Sequence, residues 1–194
     1  MRNVAVVISS TRPSRFADKP AKWVVDRLQR EDDVDVDLID LRDHPLPPFD
    51  QAVSPAYAQR DYSTPELARF GERIDRADAF VILAAEYNHG YTGALKNAMD
   101  HTFVEWQHKP VSFVGWGGVG GARAIEQLRL VSVEFEMAPL RHAVHILPDL
   151  MLPAMQAPEP FDPALFAALD DKLDKLVADL LWWTEALASA RAYA

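Results

Sequence analysis

The sequence predicts a doubly wound α/β fold, in which helices cover both faces of a five-stranded parallel sheet. Apolar runs of strand length alternate with amphipathic helical patterns along the chain, which is the pattern of repeated βαβ units. Residues 79–84 are uninterrupted apolar, as expected of a strand at the centre of a parallel sheet. The sequence contains no internal repeat and no low-complexity segment that would indicate another architecture.

Strands and helices are expected in strict alternation. Residues 4–8 are apolar throughout, whereas residues 34–41 alternate apolar and acidic side chains and indicate an edge or one-sided strand. Thr64 is the expected N-cap of the second helix. The predicted strands are residues 4–8, 34–41, 79–84, 110–115 and 143–147, and the predicted helices are residues 18–30, 65–77, 93–105, 120–136 and 163–190.

Two stretches lie outside this alternation. The proline-rich loop around residues 45–55 is too long for a simple turn, so we expect it to be functional or to lie at an interface. Residues 147–163 are rich in proline and methionine, which indicates a connecting arm. We therefore expect residues 1–194 to form a single domain, in which residues 155–194 are the connecting arm and the C-terminal helix.

The composition argues against several classes of protein. A net charge of −9 over 194 residues disfavours a nucleic-acid surface, which needs a basic face. The chain has no cysteine, which rules out disulfides, thiolate metal sites and cysteine nucleophiles. No apolar run approaches the roughly 20 residues of a membrane span, and the N-terminus has the pattern of a strand rather than of a signal peptide. We expect a cytoplasmic protein without membrane contact.

The loop after the first predicted strand carries hydroxyl and guanidinium groups. Residues 9–15 read Ser-Ser-Thr-Arg-Pro-Ser-Arg and lead into a helix. Hydroxyls and turn amides can donate hydrogen bonds to a phosphate, and Arg12 and Arg15 supply charge. The loop has neither a glycine nor a Gly-Lys-Ser/Thr triplet, so it is neither a dinucleotide loop nor a Walker A loop. It predicts a site for a terminal phosphate monoester, and the alternative is a polar loop that only caps the helix.

The loops after the third and fourth strands are also unusual. Residues 86–93 combine two tyrosines, an amide and two glycines, which could hold a flat heteroaromatic ring. Residues 115–121 are rich in glycine, which lets backbone amides approach a ligand closely. We interpret their match to G-x-G-x-x-G as incidental. In a dinucleotide site, an acidic residue about 20 residues after the glycines ends the next strand. At that distance this chain is predicted to be helical.

Histidines offer a weaker candidate site. His142 and His145 have a spacing seen in metal sites, but residues three apart on a strand point to opposite faces. We expect no metal site, and no side chain that acts as a catalytic acid or base.

Together, the three loops resemble the signature of the NADPH-dependent FMN reductase family. That family has a flavodoxin-like fold and includes azoreductases, chromate reductases and quinone reductases. The resemblance covers residues 1 to about 150 and rests on three motifs in order. They are Ser10-x-Arg12 with Arg15; Glu86-Tyr87-Asn88 followed by Gly93, Leu95-Lys96-Asn97-Ala98 and Asp100; and Gly117-Gly118 with Gly120-Gly121.

The resemblance implies which residues hold FMN. Those expected at its phosphate are Ser10, Arg12, Arg15 and Phe16. Those expected to line the isoalloxazine ring, largely through backbone atoms, are Glu86, Tyr87, Asn88 and His89, and those at its pyrimidine end are Gly117 and Gly118. This chain departs from the family pattern at Ser9, where glycine is frequent, and at Ala85, where proline is usual. The second departure predicts a less rigid loop beneath the ring.

The resemblance also implies an activity. An FMN-dependent NAD(P)H oxidoreductase would take a hydride from NADPH or NADH and then reduce a small-molecule acceptor in a ping-pong sequence. The acceptors implied are quinones, azo compounds, metal ions and free flavin. The helix that carries Lys96 and Asp100 forms the dimer interface in that family, which implies a homodimer or homotetramer. The alternatives are a flavodoxin-like electron carrier, an FMN-binding sensor and a flavin-free interaction protein.

Overall fold

A computed structural model of the chain describes residues 1–193, which form one parallel sheet between two layers of helices. The strands are β1 (Arg2–Ile8), β2 (Val34–Asp40), β3 (Ala79–Ala85), β4 (Pro110–Trp116) and β5 (Ala138–Ile146). Their order across the sheet is β2-β1-β3-β4-β5, and each neighbouring pair is parallel. The predicted doubly wound, flavodoxin-like fold is confirmed.

Seven α-helices lie within residues 1–193. They are α1 (Asp18–Leu28), α2 (Pro55–Ala58), α3 (Pro65–Arg76), α4 (Gly93–Asp100), α5 (Ala122–Glu134), α6 (Pro148–Gln156) and α7 (Asp170–Arg191). Thr64 caps α3, as predicted, and its hydroxyl accepts a hydrogen bond from the amide of Leu67. Over the same residues, no helix has the length and apolar character needed to cross a membrane.

The strands at the centre of the sheet are buried on both faces. Along β1, Val4, Val6 and Ile8 belong to a core shared with α1 and α7, whereas Ala5 and Val7 belong to a core shared with α3, α4 and α5. Successive side chains of a strand point to opposite faces, so a strand covered on both sides must be apolar at every position. This explains why β1 and β3 read as continuous apolar runs.

The strand order reverses at β1. Because β1 lies between β2 and β3, the chain leaves it toward one side of the sheet and later returns on the other side. The loops after β1, β3 and β4 therefore meet at the carboxyl edge of neighbouring strands. In open α/β sheets, ligands bind at such a reversal point.

Several element boundaries differ from the sequence prediction, most clearly those of α4, β5 and α7. α4 ends at Asp100 instead of continuing to residue 105, and Trp106 packs from the following turn onto Phe80 at a ring-centroid distance of 4.7 Å. β5 begins at Ala138 instead of residue 143, because Ala138 pairs with Pro110 ahead of a register shift. Apolar spacing alone does not distinguish a buried turn from a helix, or a register shift from a strand end.

The predicted arm between β5 and the last helix is itself largely helical. Residues 148–156 form α6, and its Ala154 is fully buried in the core next to α7. Residues 163–169 form a 3₁₀ helix, so α7 begins at Asp170 instead of residue 163. The proline within α6, Pro153, is the reason the sequence pattern indicated a loop.

The turn from β4 into α5 depends on glycine. Gly121 has a φ of 74°, and a Cβ there would lie 2.7 Å from the backbone nitrogen of Trp116. A Cβ at Gly115 would lie 2.9 Å from the carbonyl oxygen of Gly120. Gly118, by contrast, has no atom within 4 Å of where its Cβ would stand. Gly115 and Gly121 therefore allow the turn to pack on its own strand, while Gly118 lies at its open side.

Residues 44–63 form a long segment along α4 that we call the strap. The side chain of Asn97 donates to the carbonyl oxygen of Pro47 at 2.8 Å and accepts from the amide of Phe49 at 2.8 Å. Near the other end of the strap, Tyr62 donates a hydrogen bond to the buried carboxylate of Glu105. The strap is thus held at both ends, and its role in function or at an interface stays a prediction.

A buried arginine connects the loop after β1 to the end of β2. The Arg15 side chain is 1% exposed and donates to Asp40 at 2.6 Å, to Asp18 at 2.9 Å and to the carbonyl oxygen of Ser10 at 2.8 Å. Burial alone would raise the pKa of Asp40. Hydrogen bonds from Arg15 and Arg42 outweigh it and lower that pKa from 3.8 to about 2. The ionised carboxylate therefore stabilises the folded protein.

Replacing Asp40 by asparagine should lower the free energy of unfolding at pH 7 by about 2 kcal/mol, the value that a pKa of about 2 against 3.8 implies through proton linkage. The pKa is lowered on folding, so this stability is present above pH 3.8 and is lost as the pH falls toward 2. Denaturant titrations of Asp40→Asn and wild type should therefore show a smaller difference at pH 3 than at pH 7.

Asp43→Asn is the matched control, since Asp43 is exposed in the turn that follows β2. It should match wild type at both pH values. An equal difference between Asp40→Asn and wild type at pH 3 and pH 7 would contradict the assigned ionisation.

Candidate active site

Two buried hydroxyls join the loops after β1 and β3. Ser9 Oγ donates to the carbonyl oxygen of Leu83 at 2.6 Å, and Thr92 Oγ1 donates to the carbonyl oxygen of Ser9 at 2.8 Å. Thr92 also caps α4 by accepting from the amide of Leu95. Ser9 stands where the family frequently has glycine, and its side chain hydrogen-bonds to the backbone of β3. Sequence reasoning missed Thr92, whose only signal was an N-cap residue type before a helix.

Residues 11–16 form a loop with many unused hydrogen-bond donors. Thr11, Arg12 and Ser14 are exposed. Within residues 1–193, no protein acceptor receives a hydrogen bond from the backbone amides of these three residues or of Arg15 and Phe16. α1 begins directly after the loop, so its N-terminus adds partial positive charge. Free amides beside a helix N-terminus are suited to an anion.

Ser10 and Arg12, two of the residues predicted at the phosphate, both lie against Tyr87, but Arg12 is exposed whereas Ser10 is 1% exposed. Ser10 Oγ is 2.5 Å from the hydroxyl oxygen of Tyr87. The Arg12 guanidinium carbon lies 5.8 Å from the centroid of the Tyr87 ring. In residues 1–193, no carboxylate forms a salt bridge with Arg12. A free guanidinium is therefore available in an otherwise acidic protein.

Arg15 and Phe16, the other two, direct their side chains into the protein. The Arg15 guanidinium binds Asp18 and Asp40, as described above. Phe16 is 7% exposed, and its ring packs edge-on against Trp116 at a centroid distance of 5.6 Å. These two residues can offer an anion their backbone amides, while their side chains support the loop from beneath.

The loop after β3 is a tight two-residue turn. Tyr87 and Gly90 exchange backbone hydrogen bonds of 2.9 and 3.1 Å, and the residues between them, Asn88 and His89, have φ values of 49° and 75°. Two consecutive positive φ values define a type I′ turn. Gln127 of α5 donates to the carbonyl oxygen of His89 at 2.9 Å. These hydrogen bonds hold the turn in place, although the residue that ends β3 before it is Ala85 rather than proline.

Glu86 connects this turn to α5. Its side chain is 3% exposed and accepts hydrogen bonds from Nε of Arg123 at 2.6 Å and from the backbone amide of Arg123 at 3.2 Å. A carboxylate at the N-terminus of a helix is favourable, and it offsets the unfavourable position of Arg123 there. An arginine in the first turn of a helix is unfavourable, and this is the one sequence signal that could have indicated a carboxylate partner for Arg123.

The glycine-rich turn after β4 forms the third side of the site. Gly118 and Val119 are exposed, and Gly117 is half-buried. A Cβ added at Gly117 would lie 3.1 Å from the Cβ of Glu86. His145 of β5 lies with Nδ1 3.0 Å from the carbonyl oxygen of Gly120, so it braces this turn from behind. Sequence reasoning rejected His145 as a metal ligand but did not identify this contact.

The structure brings all three predicted loops to one edge of the sheet, and the two histidines considered as metal ligands have different partners. His142 pairs with Asp179 of α7, away from His145. Over residues 1–193, no group of three or more histidine, cysteine or acidic side chains has the geometry to hold a metal ion. The residues that converge are therefore backbone amides, small hydroxyls, one free arginine and an aromatic side chain.

Proteins similar to this chain in sequence or fold are named FMN reductases, quinone oxidoreductases and a flavoenzyme. An NAD(P)H-dependent FMN reductase of Schizosaccharomyces pombe is 32% identical over 157 residues, which cover 80% of this chain and 78% of that protein. An NADPH:quinone oxidoreductase of Arabidopsis thaliana is 28% identical, with 82% and 78% covered. Among solved structures, the flavoenzyme NAD(P)H:(acceptor) oxidoreductase FerB of Paracoccus denitrificans shares the fold, with a TM-score of 0.71, 22% identity and coverage of 96% and 98%.

The profile of the family described as NADPH-dependent FMN reductase matches residues 2–149, from β1 into the first residues of α6. The matched region contains all three loops that form the site. With the fold, the site loops and the yeast relative in agreement, the chain belongs to the NADPH-dependent FMN reductase family.

Proposed function

We propose that this member of the family binds FMN across the three loops and uses NADPH or NADH to reduce small-molecule acceptors. Membership in the family makes the chain an oxidoreductase with FMN as cofactor and a reduced nicotinamide as donor. The observation that best supports the proposed site is the row of free backbone amides in residues 11–16 beside the unpaired guanidinium of Arg12.

Residues 10–16, the proposed phosphate loop, fit the phosphate group of FMN. A phosphate carries charge and needs several donors, and this loop offers amides, the Ser10 hydroxyl and the Arg12 guanidinium. We propose that Arg15 and Phe16 contribute backbone amides only. The Arg15 side chain is a positioning group, because its guanidinium already binds Asp40, Asp18 and the carbonyl oxygen of Ser10.

The other two loops fit a flat ring. The type I′ turn exposes the backbone and side chains of Asn88 and His89, and Gly117 and Gly118 leave room for close approach on the neighbouring turn. We propose that Glu86, Tyr87, Asn88 and His89 line the isoalloxazine through this turn, and that Gly117 and Gly118 lie at its pyrimidine end. The Glu86 carboxylate itself holds Arg123 and so fixes the relative position of the two turns.

Bound FMN would supply the redox chemistry, which is hydride acceptance from a reduced nicotinamide and then reduction of an acceptor. The chain's own residues bind and orient the ring and bind the phosphate. We propose no acid or base residue, because a bound flavin carries the hydride transfer itself and the protein need only position it. The proposed acceptors are quinones, azo compounds, metal ions and free flavin; the plant relative named above is a quinone oxidoreductase.

We further propose that the chain is a single cytoplasmic domain that assembles as a homodimer or homotetramer. α7 shares a buried core with β1, β3 and β4, which supports one domain. A cavity of about 460 Å³ between the strap, α4 and α5 is lined by Phe49, Phe103 and Phe135, and it supports an interface on that side.

Purified protein should take up FMN and acquire a flavin absorption spectrum, and anaerobic NADPH or NADH should bleach that spectrum. A quinone or azo compound added afterwards should restore it. Failure to take up FMN would contradict the proposed function. Uptake without bleaching by either nucleotide would instead favour an electron carrier or a sensor.

Arg12→Ala should weaken FMN binding about 10- to 100-fold, the range expected for loss of a charge-assisted phosphate contact. Riboflavin, which lacks the phosphate, should bind the variant and wild type alike. Quenching of flavin fluorescence measures both affinities. Arg30→Ala is the matched control, because Arg30 is exposed beyond the other end of α1. Unchanged FMN affinity in Arg12→Ala would exclude Arg12 from the phosphate site.

Light scattering should give a mass of two or four chains. Leu130 and Val133 of α5 are 76% and 63% exposed, next to the cavity residue Val131. Burial of such side chains between copies is favourable, so Leu130→Asp should shift the mass toward one chain. Exposed Glu72→Asp on α3 is the control and should leave the mass unchanged. A wild-type mass of a single chain would contradict the proposed assembly.

A further inference from the structure

The side chain of Tyr87 extends from the turn after β3 to the loop after β1. Its backbone is fixed by the two hydrogen bonds with Gly90, and its hydroxyl lies 2.5 Å from Ser10 Oγ. The two residues are 77 positions apart in sequence. Tyr87 therefore joins the loop proposed for the ring to the loop proposed for the phosphate.

The chemistry of the two hydroxyls sets the direction of their hydrogen bond when a phosphate is present. The dianion of a phosphate monoester has only acceptor oxygens, so a Ser10 hydroxyl that binds it must donate its single O–H. The Ser10 oxygen is then free to accept the O–H of Tyr87. Hydrogen bonds in such a chain polarise one another, so the tyrosine strengthens the donation from Ser10 to the phosphate.

The ring of Tyr87 also lies beneath the cation of the same loop. The Arg12 guanidinium carbon is 5.8 Å from the ring centroid, within the range of a cation–π contact. Arg12 is exposed and has many rotamers, so a fixed aromatic face limits the conformations it must give up on binding an anion. Tyr87 thus contacts both side chains that the loop offers to a phosphate.

We propose that Tyr87 is a positioning residue for the phosphate of the flavin, acting through its hydroxyl on Ser10 and through its ring on Arg12. This inference rests on the proposed FMN site and deepens it. It separates two functions within one residue, because the backbone of Tyr87 belongs to the ring loop and its side chain serves the phosphate. The hydroxyl of Tyr87 should therefore matter for FMN and not for riboflavin.

Tyr87→Phe should weaken FMN binding about three- to tenfold, the loss expected when one hydrogen bond is removed, and leave riboflavin affinity within about twofold of wild type. Fluorescence quenching with each flavin gives the ratio of the two affinities. The double variant Ser10→Ala with Tyr87→Phe should bind FMN no more weakly than Ser10→Ala alone, because Tyr87 acts through Ser10.

Tyr57→Phe is the matched control, since Tyr57 is 82% exposed on α2, outside the three loops, and its hydroxyl makes no hydrogen bond to protein groups in residues 1–193. It should leave both affinities unchanged. Equal weakening of FMN and riboflavin by Tyr87→Phe would overturn the inference and assign Tyr87 to the ring or to loop stability. An unchanged FMN affinity would overturn it too. Wild-type protein that binds riboflavin as tightly as FMN, or binds neither, would overturn the proposed phosphate site and this inference with it.

Discussion

The ion cluster around Arg15 is the interaction on which the geometry of the loop after β1 depends. A buried guanidinium must have its N–H groups satisfied, and here Asp40, Asp18 and the carbonyl oxygen of Ser10 satisfy them. These partners come from the end of β2, the start of α1 and the loop itself. The cluster therefore holds three chain segments in one arrangement, next to residues 11–16, whose backbone N–H groups donate to no protein acceptor.

Paired polar groups, buried or half-buried, also connect the other loops of this edge of the sheet. Thr92 joins the start of α4 to Ser9, Glu86 joins the turn after β3 to Arg123, and His145 contacts the turn after β4 from behind. These polar groups are buried or half-buried and already paired, so they act as supports rather than as ligands. These contacts hold the three loops in one arrangement, and Ser9, one of the departures from the family pattern, takes part in two of them.

The loop after β1 forms a small positively charged region in an otherwise acidic protein. The chain carries a net charge of −9, and many of its arginines pair with nearby carboxylates. Arg12 is exposed beside free amides and a helix N-terminus, with Tyr87 beneath it. This loop therefore combines an unpaired guanidinium with backbone amides that have no protein acceptor, a combination suited to a phosphate.

The sequence by itself determined the fold class, the order of strands and helices, and the three loops that form the site. These features follow from local periodicity and residue type, which the chain displays directly in β1, β3 and the glycine-rich turn. It did not determine which way the polar side chains of those loops point. Arg15 and Phe16 were predicted at the phosphate, and the tertiary structure directs both side chains inward. That outcome depended on partners distant in sequence: Asp40 lies 25 positions from Arg15, and Arg123 lies 37 from Glu86. Such pairs come together only when parallel strands align at one edge of the sheet, so no local pattern can reveal them.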